Sequence, residues 1–325
     1  MKLIFNLQLF AVNKTTDSGL SAEMKTFYEK RLIDLAEPKL VHNQFGDKYP
    51  IPRNGGKNIE FRKYDPLPKA TTPISEGVTP AGSQLNVTTI TATVAQYGDY
   101  VEISDMLDLT AIDNNIVQST KLLGSQAGRT LDTITRDIIS GGSNVLYAGA
   151  RASRSALTAA DTLIPDLFNQ AAAILGGNNA DYIDDSYVAI IHPYAKYDLI
   201  SSSQWIDVHK YADPTAIYEG EIGKLGNIRF VESTEAKIWN DSTCPSGLAV
   251  FSTLVIAAHA YGVTDIEGGG LQHIIKQLGS GGTTDPLNQR ATVGWKATAV
   301  AERLVEAYMV RIESTSAFSP KAQAN

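Results

Sequence analysis

Apolar and polar positions begin to alternate at Ile59 and Phe61, the spacing of a strand. Pro66, Pro68, Pro73, Gly77, Pro80 and Gly82 follow, and a stretch so rich in proline and glycine forms neither a helix nor an inner strand. Alternation resumes at Leu85 and Val87, changes phase to Ile90, Ala92 and Val94, and changes again to Val101 and Ile103. Each change turns the apolar side to the other face, so a bulge or bend is expected near Thr88–Thr89 and near Gly98. Fully extended, residues 85–103 would reach about 60 Å at ~3.3 Å per residue, against ~17–20 Å for an ordinary strand. A ribbon of that length projects beyond a compact body. Isolated two-stranded ribbons are marginally stable in water, so the pattern predicts that another chain covers this one.

The period then changes to threes, fours and sevens at Ile112, Ile116, Leu123, Ala127, Leu131, Ile134 and Ile138. This predicts a helix over 113–140, about 40 Å long at ~1.5 Å per residue. Asp113 is placed to cap it and Gly141-Gly142 to end it. A second helix is expected over 161–175, with Leu163, Leu167, Ala171 and Ile174 inward. Tyr187–Ile191 reads as a buried strand ending at His192-Pro193, with a short helix over 194–200 after it. Further strands are expected at 228–231, 248–251, 255–258, around Val293, Trp295 and Ala297, and over 307–312. Residues 314–325 are polar and expected to be loose.

Residues 1–50 hold little that could form a core. One amphipathic helix is expected over 21–36, with Met24, Phe27, Tyr28, Leu32 and Leu35 on one stripe and Pro38 stopping it. It reads either as a surface helix of the main body or as an arm on a neighbouring subunit. The first eleven residues carry one lysine and an apolar run broken by Asn6 and Gln8, which reads as an extended arm rather than a signal peptide.

Composition narrows the picture. Of 325 residues, 43% are apolar and 19% charged, the balance of a core-forming globular protein. Lys plus Arg number 28 and Asp plus Glu 35, a net charge of -7. That argues against gripping nucleic acid, which needs a positive surface, but not against a container that holds it. No apolar stretch approaches the ~20 residues of a membrane span. Cys244 is the single cysteine, so there is no intrachain disulfide, and a free thiol suits a reducing cytoplasm.

Chemistry is sparse. His42, His192, His209, His259 and His273 form no helical metal pair, and His192, where a strand meets Pro193, reads as structural. Neither a phosphate loop, nor a dinucleotide fingerprint, nor a nucleophile elbow is present. Asp184-Asp185 reads as a solvated loop, Cys244 as an inert loop thiol, and Phe61-Arg62-Lys63-Tyr64 as a ribbon with solvent-facing charge. No catalytic, cofactor-binding or metal-ligating residue is assigned, and no cofactor is expected.

The order of parts resembles the major capsid protein fold of tailed bacteriophages, the Hong Kong ninety-seven type, an α+β fold. Several stretches are similar to the branch related to the coliphage N-four major capsid protein: 55–62 (GGKNIEFR), 71–80 (TTPISEGVTP), 96–105 (QYGDYVEISD), 220–226 (GEIGKLG), 293–298 (VGWKAT) and 309–313 (MVRIE). The resemblance runs from about Lys25 to Glu313. It implies an N-terminal arm over 1–54, an extended β-ribbon loop with its base over 55–104, a peripheral domain with a spine helix over 105–181 and 283–325, and an inserted axial domain over 182–282.

It further implies self-assembly into hexamers and pentamers of an icosahedral shell that encloses double-stranded DNA, in the virion, after assembly in the host cytoplasm. The implied partners are a portal, a separate scaffolding protein or none, and a decoration protein or none, with no membrane. Lys57, Lys63 and Lys69 lie on the ribbon, but no crosslinking partner can be assigned. The glycine-rich crossings at 176–181 and 279–286 are expected to hinge the insert. An encapsulin-type nanocompartment of the same fold is the alternative, and an enzyme on an α+β body a third reading.

Overall fold

The structure, a computed structural model, describes residues 41–64, 66–74, 76–77, 79, 82–110, 115–202, 205, 224–281 and 285–325. The helix expected over 21–36 and the cap Asp113 lie outside the described residues. The strands are β1 (Asp47–Lys48), β2 (Asn58–Tyr64), β3 (Val87–Thr93), β4 (Ala95–Ser104), β5 (Val145–Tyr147), β6 (Tyr187–Ile191), β7 (Lys224–Leu225), β8 (Ile228–Glu232), β9 (Ile238–Trp239), β10 (Val250–Ile256), β11 (Tyr261–Thr264), β12 (Gln272–Lys276), β13 (Arg290–Arg303) and β14 (Met309–Ser314). The helices are α1 (Asp105–Thr110), α2 (Asn115–Ser140), α3 (Pro165–Gly177) and α4 (Pro193–Ser201). The chain divides into two compact units, one holding Tyr97–Arg129 and Leu271–Ala297, the other Leu40–Gln96, Thr130–Gly270 and Thr298–Asn325.

The larger unit is built on a seven-stranded sheet in the order β5-β14-β10-β6-β8-β7, with β9 also paired to β10. Every residue of β6 and β10 is buried, because each face of the sheet carries its own core. Ala189, Ile191, Val255, Val310 and Ile312 point into the core that includes Leu163, Leu167, Phe168, Ala171 and Leu175 around α3. Val188, Ile190, Leu254, Ile256 and Met309 join Ile139 and Tyr261 in the other. A strand apolar on both faces carries no alternation, so it reads as a continuous run. The same unit holds β1 parallel to β11, β11 antiparallel to the last residues of β13, and the β2–β3 ribbon.

In the smaller unit β13 is flanked by β12 and β4. Ala291, Val293, Trp295 and Ala297 are buried in alternation, with Ile103 of β4 and Leu123 and Ala127 of α2. Trp295 donates its indole N–H to Gln126 Oε1 at 3.1 Å, and Gln126 Nε2 donates to Asp99 Oδ2 at 2.6 Å, so one side chain ties helix to sheet. At Gly98 a Cβ would stand 2.5 Å from the Trp295 carbonyl oxygen, so only glycine allows β4 this close to β13.

Several expectations need correction. Strands from both sides of the expected boundaries at 181/182 and 282/283 share one sheet, because β5 and β14 hydrogen-bond into the sheet that holds β6, β8 and β10. The crossings at 176–181 and 279–286 therefore do not mark the edges of a unit; the edges fall at 96/97, 129/130, 270/271 and 297/298. The arm cannot extend to 54: His42 is buried, and β1 and Ile51 pair with β11 and Ile266.

No bulge sits at Thr88–Thr89, where the β2–β3 register runs unbroken from Asn58↔Thr93 to Tyr64↔Val87. The apparent phase change arises because Leu85 and Val87 face solvent. The second helix starts at Pro165, not Asp161, whose carboxylate is engaged by Arg151 and Thr158. The strands expected at 248–251 and 255–258 are one, since Ser252 and Thr253 are buried within it. The tail is not loose: Thr315 and Ser316 are buried, and Asn325 Oδ1 accepts from Ile238 N at 2.9 Å.

Candidate assembly surfaces

The β2–β3 ribbon comes first. Inner positions Ile59, Phe61 and Ile90 are half-buried and Ala92 is buried, while Phe61 packs edge-on against Tyr49 at 5.3 Å. Beyond them cover ends. Every residue described from Pro66 to Thr89 is exposed, including Leu67, Ile74, Leu85 and Val87, and Tyr64 at the last pair is 64% exposed. A monomer gains nothing from holding such side chains in water, so the tip is shaped for contact with another molecule. Lys57, Lys63 and Lys69 are exposed along it.

A second surface lies on the smaller unit. Asp105 N donates to Gln289 O at 3.0 Å, which seats the start of α1 beside the 285–289 turn. Met106, Leu107 and Leu109 of α1 and Leu287 of that turn are exposed by 63%, 47%, 80% and 75%.

Buried charge, by contrast, is internally matched. Glu313 is wholly buried; its Oε2 accepts from Arg154 Nε and its Oε1 from Arg154 Nη2, both at 2.7 Å, and Oε1 also accepts from Arg311 Nε at 2.8 Å. Arg154 lies 3.7 Å from the centre of the Trp239 ring. Arg311 Nη1 donates to Ser140 O and, at 2.8 Å, to Gly142 O, which closes the carbonyl end of α2. His42 Nδ1 and Asp132 Oδ2 are 2.7 Å apart, both buried, and Arg136 donates to Glu235 O at 2.9 Å and to Asn325 O at 3.2 Å. These groups fasten strands, helix end and tail together.

The residues singled out in the sequence take structural places. His192 Nδ1 accepts from Tyr194 N at 3.2 Å and so caps α4. Burial holds its imidazole below the ordinary value, against the upward pull of Glu232 and Glu235. Cys244 is buried, and burial pushes its thiol up, away from nucleophilic use. Asp184 stands in solvent, 3.8 Å from Arg229. His209 lies outside the described residues. Among the described residues no three of His, Cys, Asp and Glu gather to hold a metal, and no helix is long and apolar enough to cross a membrane. The Glu313 cluster went unread, although Arg311 and Glu313 share one face of an otherwise apolar strand, the pattern of an inward-facing polar network.

Comparison with solved structures places this architecture among phage capsids. The capsid subunit of cyanophage Pam1 superposes with a TM-score of 0.66 at 12% identity, covering 84% of this chain and 89% of that one. That of Ralstonia phage GP4 gives 0.65 at 16% identity over 85% and 88%, and that of cyanophage P-SCSP1u 0.65 at 16% over 84% and 87%. The fold is thus the mixed α and β fold of these shells. A family model described as phage capsid protein matches residues 95–257, and the chain belongs to that family: it is a major capsid protein, a subunit from which a phage shell is built. The encapsulin reading is not favoured. No curated protein matches the sequence.

Proposed function

We propose that the chain assembles as hexamers and pentamers of an icosahedral shell around double-stranded phage DNA, and performs no catalysis. The observation that carries this reading is the ribbon tip, where every residue described from Pro66 to Thr89 is exposed and the large apolar ones await cover. The net charge of -7 suits a wall that holds DNA without gripping it. The matched Arg154–Glu313–Arg311 and His42–Asp132 groups support a rigid building block. In the language of the fold, the axial role falls to the whole seven-stranded sheet, β5 and β14 included. A separate scaffolding protein, a portal and a decoration protein are the partners, and assembly takes place in the host cytoplasm before the shell becomes part of the virion. Chain expressed with its scaffold should elute as capsomers or shells and show closed particles by electron microscopy. Chain that stays monomeric under every condition overturns the proposal.

A further inference from the structure

The β2–β3 ribbon leaves the larger unit through a tight turn at Pro52–Gly55. Before the turn Ile51 is fixed: its N–H donates to Asp265 O and its carbonyl accepts from Glu267 N, both at 2.8 Å. After it, Lys57 O accepts from Val94 N at 2.9 Å, and β2 begins at Asn58. Within the turn Gly55 N donates to Pro52 O at 2.9 Å, and Asn54 has a φ of 66°, the only positive φ of the four residues. That is the pattern of a type II turn, which takes glycine or asparagine at its third place. Gly55 is set by packing, since a Cβ there would stand 2.9 Å from Pro52 O and 3.0 Å from Ile51 Cγ2. The geometry thus admits asparagine and then requires glycine, in the one Asn-Gly pair of the chain.

That pair carries a reaction of its own. Glycine has no Cβ to shield its nitrogen, so Gly55 N can attack the side-chain carbonyl carbon of Asn54. The new C–N bond closes a five-membered imide, the proton of Gly55 N passes to water, and the side-chain nitrogen of Asn54 leaves as ammonia. Water then opens the imide at either carbonyl, giving aspartate or isoaspartate. No oxidant or enzyme is required, and Asn54 is exposed to the water that the reaction consumes. In the closed turn Gly55 N–H is held by Pro52 O, so the attack waits for the turn to open.

We infer that Asn54 is a site of spontaneous deamidation, and that the change removes a subunit from the pool able to build shells. Isoaspartate adds one carbon to the main chain between two anchored points, Ile51 and Lys57, and sets a carboxylate beside Arg53. A shift at that root is carried along the unbroken β2–β3 register to the exposed tip. The effect on assembly rests on the shell-building reading; the reaction does not.

Full chain is aged at mildly alkaline pH, as folded free subunits and in urea. The peptide holding residue 54 is followed by mass spectrometry and by isoaspartyl methyltransferase labelling. Expected is isoaspartate at 54 in both samples, forming roughly tenfold more slowly in folded subunits, the factor of a turn open about a tenth of the time. No product at 54 in folded subunits, or a rate equal to that in urea, overturns the site as the turn defines it. The control is Asn54→Gly, which keeps the positive φ and has no amide to lose. Aged subunits are then assembled. Expected are a shell yield that falls with the modified fraction, isoaspartate left behind in the unassembled pool, and full yield from Asn54→Gly aged alongside. Modified chains that enter shells as readily as unmodified ones, or an equal loss in Asn54→Gly, overturn the effect on assembly. Fresh chain that never forms shells overturns the shell reading and that effect with it, while the deamidation of free subunits stands or falls by its own rate.

Discussion

At the residue scale, the molecule's most demanding position is Glu313. A carboxylate with no solvent exposure is tolerable only because three N–H groups of two arginines surround it. Glu313→Ala leaves Arg154 and Arg311 facing each other, and removing one partner of a buried ion pair costs about 3–5 kcal/mol. Urea denaturation should show a loss of that size; a loss under about 1 kcal/mol would mean that water replaces the carboxylate. His192 gives a pH dependence. Its folded-state imidazole titrates below the ordinary value, so its contribution is present above about pH 6.5 and fades as pH falls and the unfolded chain takes up the proton. Protonated Nδ1 can no longer accept from Tyr194 N. His192→Asn keeps a capping side chain and loses ring contacts with Tyr194 and Phe251. The variant should melt lower at pH 7.5 yet lose less on going to pH 5. An undiminished slope would place the titration elsewhere.

At the element scale, the long helix, β6 and the β2–β3 ribbon were each legible in the sequence, because each carries its own period or its own punctuation. The ribbon's tip was legible from its prolines, and its exposure follows. Replacing residues 65–86 by a short Gly/Ser turn removes no residue described as buried and keeps the whole register from Asn58↔Thr93 to Tyr64↔Val87. Circular dichroism and cooperative melting should stay near normal while shells are lost or misshapen. Unfolding of this variant would show that the tip belongs to the core. The merged β10 was not legible. Ser252 and Thr253 read as a break in sequence, yet in the sheet they are buried, pair with Glu313 and Ile312 of β14, and Ser252 N donates to Lys237 O. Nor was Gly98 legible as more than a bend: its need for glycine comes from the Trp295 carbonyl, distant in sequence.

At the scale of the whole molecule, the chain is fastened at His42 and β1. His42 bonds Asp132, β1 lies along β11, and Tyr261 donates to the His42 carbonyl, so cleavage of free chain should fall before these residues. Limited proteolysis should cut between Met1 and Leu20 in free subunits and be slowed in assembled shells; equal rates in both would remove the arm from assembly. The sequence by itself determined the long helix, the buried strand β6 and the proline-punctuated ribbon tip, because periods and prolines are local. Only the tertiary structure decided the division of the chain. β5 and β14 stand far from β6 in sequence and beside its sheet in space, and a strand's choice of partner depends on which distant edge offers its hydrogen bonds and which core takes its side chains. The glycine-rich crossings were visible as sequence and misleading as boundaries, since compliance in a loop says nothing about which sheet the strands beyond it will join.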